Sequence, residues 1–373
     1  MIGPTVKGKQ LDAGRPIVVV FLVFSAGANG FGFFDAVDKG DPLVCVTPAS
    51  ISMGGLWALP SGGAASIFLN PAELSLERTR QLVASTGYVS WNSTTEYLQG
   101  LDHRESGTIP LTATGAYSFQ VGEVSAGIGF CRVSDFSFDG CNLIPAEETS
   151  GRLYIYAVQH LDSRGSLWET TAGLSTGISD WLLVGVSSGL RSGSGHYTLE
   201  YVVPSSPAAD TTYTCDWRET AFCAHAGILF PFEFGTFGAS WVSGSDMYPS
   251  RIAGGFVKPM SIFGGGSLGV EFDVLDPEDA SEQSGRFFGI FPGMIEGVTT
   301  RYGIGFWKAH LSHRSGLCFS TGSTVELSDR FSLDLAVSWR SRSRSGTSFP
   351  DVPYMTIHDD NATFFGAGVS AKL

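Results

Sequence analysis

The residues able to do chemistry here are serines framed by glycine, six cysteines, a few histidines, an acidic run and a row of arginines. Two strings, Gly173–Gly177 and Gly185–Gly189, fit the nucleophile pattern G-x-S-x-G. A serine of that kind needs a strand, a sharp turn and a helix to present its hydroxyl. Ser175 and Ser187 instead sit within alternating apolar and small residues, on the small-residue face. Gly264–Gly269 fits G-x-G-x-x-G literally, but the alternation runs on into Leu268 without a βαβ unit, so no dinucleotide site is expected. No catalytic residue and no cofactor are assigned, and the chain reads as a non-enzyme.

In an exported chain, six cysteines read first as disulfides. Cys131 and Cys141 flank one short loop of this reading and Cys215 and Cys223 another, so two local bridges are expected, with Cys45 and Cys318 left over. A zinc site from Cys215, Cys223 and His225 lacks C-x-x-C or H-x-x-x-H spacing, and no metal is assigned. His310 and His313, three apart, would face opposite sides of a strand. Asp273, Asp276, Glu278, Asp279 and Glu282 read as an exposed loop without EF-hand spacing. Arg340, Arg342 and Arg344 alternate with serines beyond Trp339. On a continued strand they form one row, able to hold lipopolysaccharide phosphates at a rim or to line a lumen mouth; otherwise they belong to a solvated loop.

Composition decides which elements position these groups. The chain has 373 residues with 48 Gly, 27 Phe and 16% charged residues. Aromatics at 12% exclude a disordered chain, and glycine costs about 1 kcal/mol each in helix interiors, so a helical bundle is unfavourable. A β-rich protein with an apolar surface remains. Lys7, Lys9 and Arg15 precede the apolar run Ile17–Phe24 and then Ala26-Gly27-Ala28, the layout of a secretory signal peptide over residues 1–28. Cleavage there leaves 20 basic and 35 acidic residues, a formal charge of −15, which disfavours nucleic acid as a partner.

From about Val83 onward the dominant period is two. Leu268, Val270, Phe272 and Val274 alternate with Gly269, Glu271 and Asp273, and the closing strand Phe365–Leu373 repeats the pattern. Face parity predicts three-residue turns at Ser328-Asp329-Arg330 and Ser179-Asp180-Trp181. Short turns contrast with longer polar loops near 133–150, 204–222, 275–285 and 341–361, as in outer-membrane barrels. Polar faces made of Gly, Ser and Thr favour such a barrel over a secreted soluble β-rich structural protein. Trp57, Trp91, Trp181, Trp217, Trp241, Trp307 and Trp339 are candidates for interfacial girdles. The expectation is all-β: an antiparallel transmembrane barrel of about 14 strands over residues 81–373, preceded by a plug segment over 29–80 in the lumen.

Within that segment, Met53-Gly54-Gly55 is followed by Ala64–Phe68 and then Asn70-Pro71-Ala72-Glu73-Leu74. This resembles the N-terminal motif of the FadL superfamily of outer-membrane barrels, which includes PorV/PorQ-type proteins. Met53, Gly54, Gly55, Asn70, Pro71, Ala72 and Leu74 match it, while Leu56, Ser61-Gly62-Gly63 and the final Leu373 depart from it. The resemblance implies a 14-stranded barrel in the bacterial outer membrane, assembled by the barrel assembly machinery among outer-membrane lipids. Its first functional implication is a PorV/PorQ-type docking or shuttle component for exported proteins. The alternative is a FadL-like passive channel for hydrophobic small molecules such as fatty acids, using an apolar pocket beside the plug and a lateral opening in the wall.

Overall fold

The computed structural model describes residues 41–42, 47–61, 63–76, 79–97, 101–147, 153–261, 265–277, 282–309, 314–347 and 355–373. Residues 1–28, Cys45, Gly264, Glu278, Asp279, His310 and His313 lie outside them. The strands are β1 (Asp41–Pro42), β2 (Gln81–Tyr97), β3 (Leu101–Val121), β4 (Val124–Asp135), β5 (Phe138–Glu147), β6 (Leu153–Ser179), β7 (Leu182–Val202) and β8 (Thr211–Phe232). They continue as β9 (Gly235–Val242), β10 (Arg251–Met260), β11 (Gly266–Leu275), β12 (Glu282–Pro292), β13 (Val298–Ala309), β14 (Arg314–Glu326), β15 (Phe331–Thr347) and β16 (Met355–Lys372).

From β2 onward each strand pairs antiparallel with a sequence neighbour, and two further pairings close the ring. β16 pairs with β2 along its length, from Thr356↔Tyr97 to Lys372↔Gln81. β4 pairs with β6, because β5 occupies only the upper part of β6, from Phe138↔Ser163 to Glu147↔Leu153. The wall is thus a closed 14-stranded barrel, β2–β4 and β6–β16, as the alternation predicted. The β16–β2 pairing removes the two terminal edges that an open sheet would present.

Alternation sets what faces where. On β11, Leu268 and Phe272 are exposed while Glu271 and Asp273 are buried. Ile128, Phe130, Leu174, Val186, Phe287 and Ile304 are likewise exposed on their strands, and Ser125, Ser175, Ser187, Ser240 and Arg286 are buried between or opposite them. Large apolar groups outward and small or charged groups inward invert the arrangement of a water-soluble sandwich, whose apolar faces bury each other.

Tight turns gather at one end. Leu327 N–H donates to Phe331 O at 2.9 Å around Ser328-Asp329-Arg330, the three-residue turn expected from parity. The β6–β7 turn differs: the register shifts between Gly177 and Ser179, so Asp180-Trp181 form a two-residue turn and a bulge absorbs the odd residue. The long polar segments also differ from expectation. Residues 138–147, 211–222, 282–285 and 341–347 are strand, not loop. These stretches carry polar groups on both faces, so they lack the alternation that marks the rest. The tryptophan girdle is narrower than expected, because Trp57, Trp91 and Trp307 are buried, whereas Trp181 and Trp241 are exposed.

The core lies inside the barrel. Thr47 caps the short helix α1 (Pro48–Ser52) by accepting from Ser50 N–H at 3.2 Å. Two 3₁₀ turns follow, Gly63–Phe68 and Pro71–Ser75. Ile67, Phe68 and Leu74 of these turns, with Trp57 before them, cluster with Val83, Ala116 and Leu167 of the wall.

Candidate functional site: the plug and the wall around it

Asn70 is the hub of the plug. Its Nδ2 donates to Ala58 O at 2.6 Å and to two strand carbonyls, Ile228 O and Ala239 O, each at 3.3 Å. Its Oδ1 accepts from Ala72 N–H at 3.1 Å, capping the turn that Pro71 opens with its fixed φ. One fully buried amide therefore joins the plug to two strands. Ala72 and Leu74 are fully buried beside it, and Ser175 Oγ donates to Ala72 O at 3.0 Å.

Glycines in the wall make this approach feasible. A Cβ on Gly227 would overlap Asn70 Oδ1, and one on Gly185 would overlap the Pro71–Ala72 peptide. The Met53-Gly54-Gly55 element has a separate reason: Gly54 and Gly55 have φ of +85° and +87°, a region costly for residues with a Cβ. Their amides cap α1, Gly54 N–H to Ile51 O at 3.1 Å and Gly55 N–H to Ser50 O at 2.8 Å. Met53 is buried against Leu56, Leu59 and Phe288.

Carboxylates on both plug and wall hold the loop between these motifs. Glu271 accepts from the amides of Trp57, Ala58 and Leu59 at 2.6, 2.9 and 3.1 Å. Glu73 accepts from Ser61 and Gly63 at 3.1 Å. Arg286 donates through Nε to Gly54 O at 2.9 Å and through Nη2 to Asp273 at 3.0 Å, and Arg251 reaches the same carboxylate at 3.0 Å. Asp273 is consequently a buried lumen residue, not part of an exposed acidic loop. A second buried group sits further around: Glu169 accepts from Arg191 Nε at 2.8 Å and meets His225 Nε2 at 2.7 Å. Arg191 also donates to Ser243 O and lies over the Tyr248 ring at 4.2 Å. The loop 243–250 is therefore folded into the lumen and tied to this charged layer.

Cys223 joins Glu169 and His225 within 4.8 Å, so the group of donors differs from the Cys215, Cys223, His225 set considered above. Cys215 is eight residues along the same strand, about 26 Å at ~3.3 Å per residue, which rules out the expected bridge to Cys223. Cys131 and Cys141 stand opposite Glu169 and His160 of β6, nine residues and about 30 Å apart. All five described cysteines are free thiols. The expected loops between these pairs are strand, which keeps the thiols apart.

Arg340 and Arg342 lie on β15 and point inward. The Arg340 guanidinium carbon is 5.1 Å from the Phe364 ring and that of Arg342 5.3 Å from Trp307. With Arg251 and Arg286 they line a small cavity above Gly54. Both guanidinium groups therefore face the barrel interior. The side chain of Arg344 lies outside the described residues. A larger cavity of about 430 Å³ at the plug is lined by Glu73, Gln81, Arg301, Asp334, Arg330 and Lys372 together with apolar groups such as Met53, Val83 and Ile290.

The wall itself is uneven. β3 pairs with β4 from Gly115↔Phe130 to Val121↔Val124, and above Gly115 the described residues show no ladder between β3 and β4 or β5. The backbone of Asp41–Pro42 takes the upper edge of β4 instead, opposite Asp135 and Ser134. Side chains span the remaining seam. Trp91 of β2 passes over Gly107 of β3, where a Cβ would strike its indole, and stacks on Phe138 of β5 at 5.4 Å. Val89, Leu161, Ala362 and Phe364 complete an apolar cluster behind it. Sequence reasoning missed this seam, Glu271 and the Glu169–Arg191–His225 group. A carboxylate on the inward parity of a strand, as at Glu271, was the signal available.

No protein-family model and no curated protein matches the chain. Its fold is shared with several solved structures. A Pseudomonas aeruginosa FadL homologue superposes with TM-score 0.67 at 11% identity, over 89% of this chain and 99% of that one. The P. putida toluene transporter TodX gives 0.68 at 12%, again over 89% and 99%. The CymD monoaromatic hydrocarbon channel gives 0.59 at 11%, over 89% and 98%.

Proposed function

We propose that this chain is a passive outer-membrane channel for hydrophobic small molecules, which leave the lumen sideways through the seam between β3 and β5. The observation that carries this reading is the seam: the wall loses its ladder above Gly115 where an apolar cluster of Trp91, Phe138, Val89 and Phe364 stands behind it. Straight passage is opposed by the plug, the buried ion pairs and the inward loop 243–250. An apolar solute gains about 25 cal/mol for each Å² it buries against such a cluster, and leaving into the bilayer avoids re-hydration. The exposed apolar belt provides the contact with lipid, and the shared fold with hydrocarbon channels supports the same direction. The protein-docking reading gains no comparable support from this geometry.

Cells displaying the chain should accumulate a labelled monoaromatic hydrocarbon faster than cells lacking it. Phe138→Asp, which charges the apolar cluster, should return uptake to background while the barrel keeps its heat-modifiable migration on detergent gels. Uptake equal to the control, or unaffected by Phe138→Asp, refutes the channel. Recovery of exported proteins with the purified barrel, without any hydrocarbon uptake, would favour docking.

A further inference from the structure

The seam also brings together three side chains with ligand chemistry. His103 and Glu105 stand two apart on β3, so strand alternation puts them on one face, and Cys141 stands on β5. His103 Nε2 lies 3.0 Å from Glu105 Oε1 and 3.2 Å from Cys141 Sγ. The three ligand atoms fall within 4.8 Å of one another. A tetrahedral zinc-type ion, with bonds of about 2.0–2.3 Å, keeps such N, O and S atoms about 3.3–3.6 Å apart. The set is therefore close to ligand spacing already. Gly140 makes the room: a Cβ there would overlap Glu105 Oε2, so glycine is what lets the carboxylate sit beside Cys141. The Cys141 amide also donates to Glu105 Oε1, a side-chain contact where the barrel elsewhere has a backbone ladder.

The site is reachable from water. Asp102, Arg104, Ser106 and Thr108 alternate with these residues and are exposed, so this part of β3 rises above the apolar belt. The His103 and Glu105 side chains are 24% and 15% exposed.

We infer that His103, Glu105 and Cys141 form a binding site for a divalent transition-metal ion of the zinc class, which ties the edge of β3 facing away from β2 to β5. The ion takes the neutral imidazole nitrogen, a carboxylate oxygen and the thiolate, and a water completes four ligands. Cys141 releases its thiol proton to solvent on binding, with no change of oxidation state. Zn²⁺ suits this mixed borderline-soft donor set better than Ca²⁺ or Mg²⁺, which take oxygen ligands. The site stands on its own geometry, whether or not hydrocarbons cross the seam. The Glu169, Cys223, His225 group is a poorer host, since the Arg191 guanidinium already holds its carboxylate.

Co²⁺ serves as a spectroscopic probe for the reduced full-length chain in detergent. A thiolate-to-cobalt charge-transfer band should appear and saturate, and Zn²⁺ should displace it. Cys141→Ser should abolish the band, whereas Cys223→Ser should retain it. His103→Ala should weaken Co²⁺ binding by more than the roughly 10–100-fold that loss of a mere supporting group costs. If Cys141→Ser does not assemble, His103→Ala and Glu105→Gln carry the same test through their affinities. No band in the unsubstituted chain, a band that survives Cys141→Ser, or unchanged affinity in both other variants overturns the site.

Discussion

Two arcs of the same barrel solve opposite problems. From β6 through β9 the ladder is long, running from Val158↔Val202 to Ser179↔Leu182 between β6 and β7 alone. Here the plug is docked at Gly185, Gly227 and Gly238, where missing side chains admit its backbone. The ladder between β3 and β4 stops at Gly115↔Phe130, and side chains from Trp91, Phe138, His103 and Glu105 bridge the gap to β5. Backbone pairing makes a wall that does not yield, and side-chain contacts make one that can open, because few groups must let go together. The plug is anchored to the firm arc, and the proposed exit lies in the weak one.

The largest effect expected is on the firm arc. Glu271→Ala leaves three buried plug amides without their acceptor and removes the farther of the two carboxylates beside Arg286, which keeps Asp273, at a cost of about 3–5 kcal/mol. Chemical denaturation in detergent and protease sensitivity of residues 47–76 measure it. Gly227→Val should cost about 1–3 kcal/mol by driving a side chain into Asn70, and protection of the plug from protease should fall with it. Asn70→Ala should cost about 1–3 kcal/mol, since Ile228 O and Ala239 O lose a donor. Combined with Gly227→Val it should cost less than the sum, because both act on one contact.

Effects on stability should be smallest at the seam. Amides of β3 above Gly115 that face the unpaired edge should exchange with solvent faster than those of β7, as hydrogen exchange by mass spectrometry would report. His103→Ala, at a partly exposed position, should change stability by no more than about 0.5 kcal/mol in metal-free buffer. Equal protection of β3 and β7 would erase the distinction between the two arcs.

The fold was largely legible in the sequence because strand alternation is a local signal. Leu268, Phe272 and their neighbours show their faces without reference to any partner. Asn70-Pro71-Ala72 was legible as a turn for the same reason, since capping involves residues two apart. What stayed hidden depends on register between distant strands. Cys215 and Cys223 look like a loop pair only if residues 211–222 are loop, and the polar residues around Tyr213 and Trp217 leave only a weak strand signal there. The seam is a pairing that ends, and no residue type encodes that. Glu271 and Asp273 could be placed on the inward face, but their partners, 214 residues away for Trp57, could not.

The most direct test of the lateral route closes it covalently. A Glu105→Cys variant places a second thiol beside native Cys141, and a short cleavable bis-thiol linker can then join β3 to β5. Uptake of a labelled monoaromatic hydrocarbon should fall to background when the linker is in place and recover when it is reduced. Uptake that continues unchanged in the linked barrel would show that the hydrocarbon takes another path and would contradict the account.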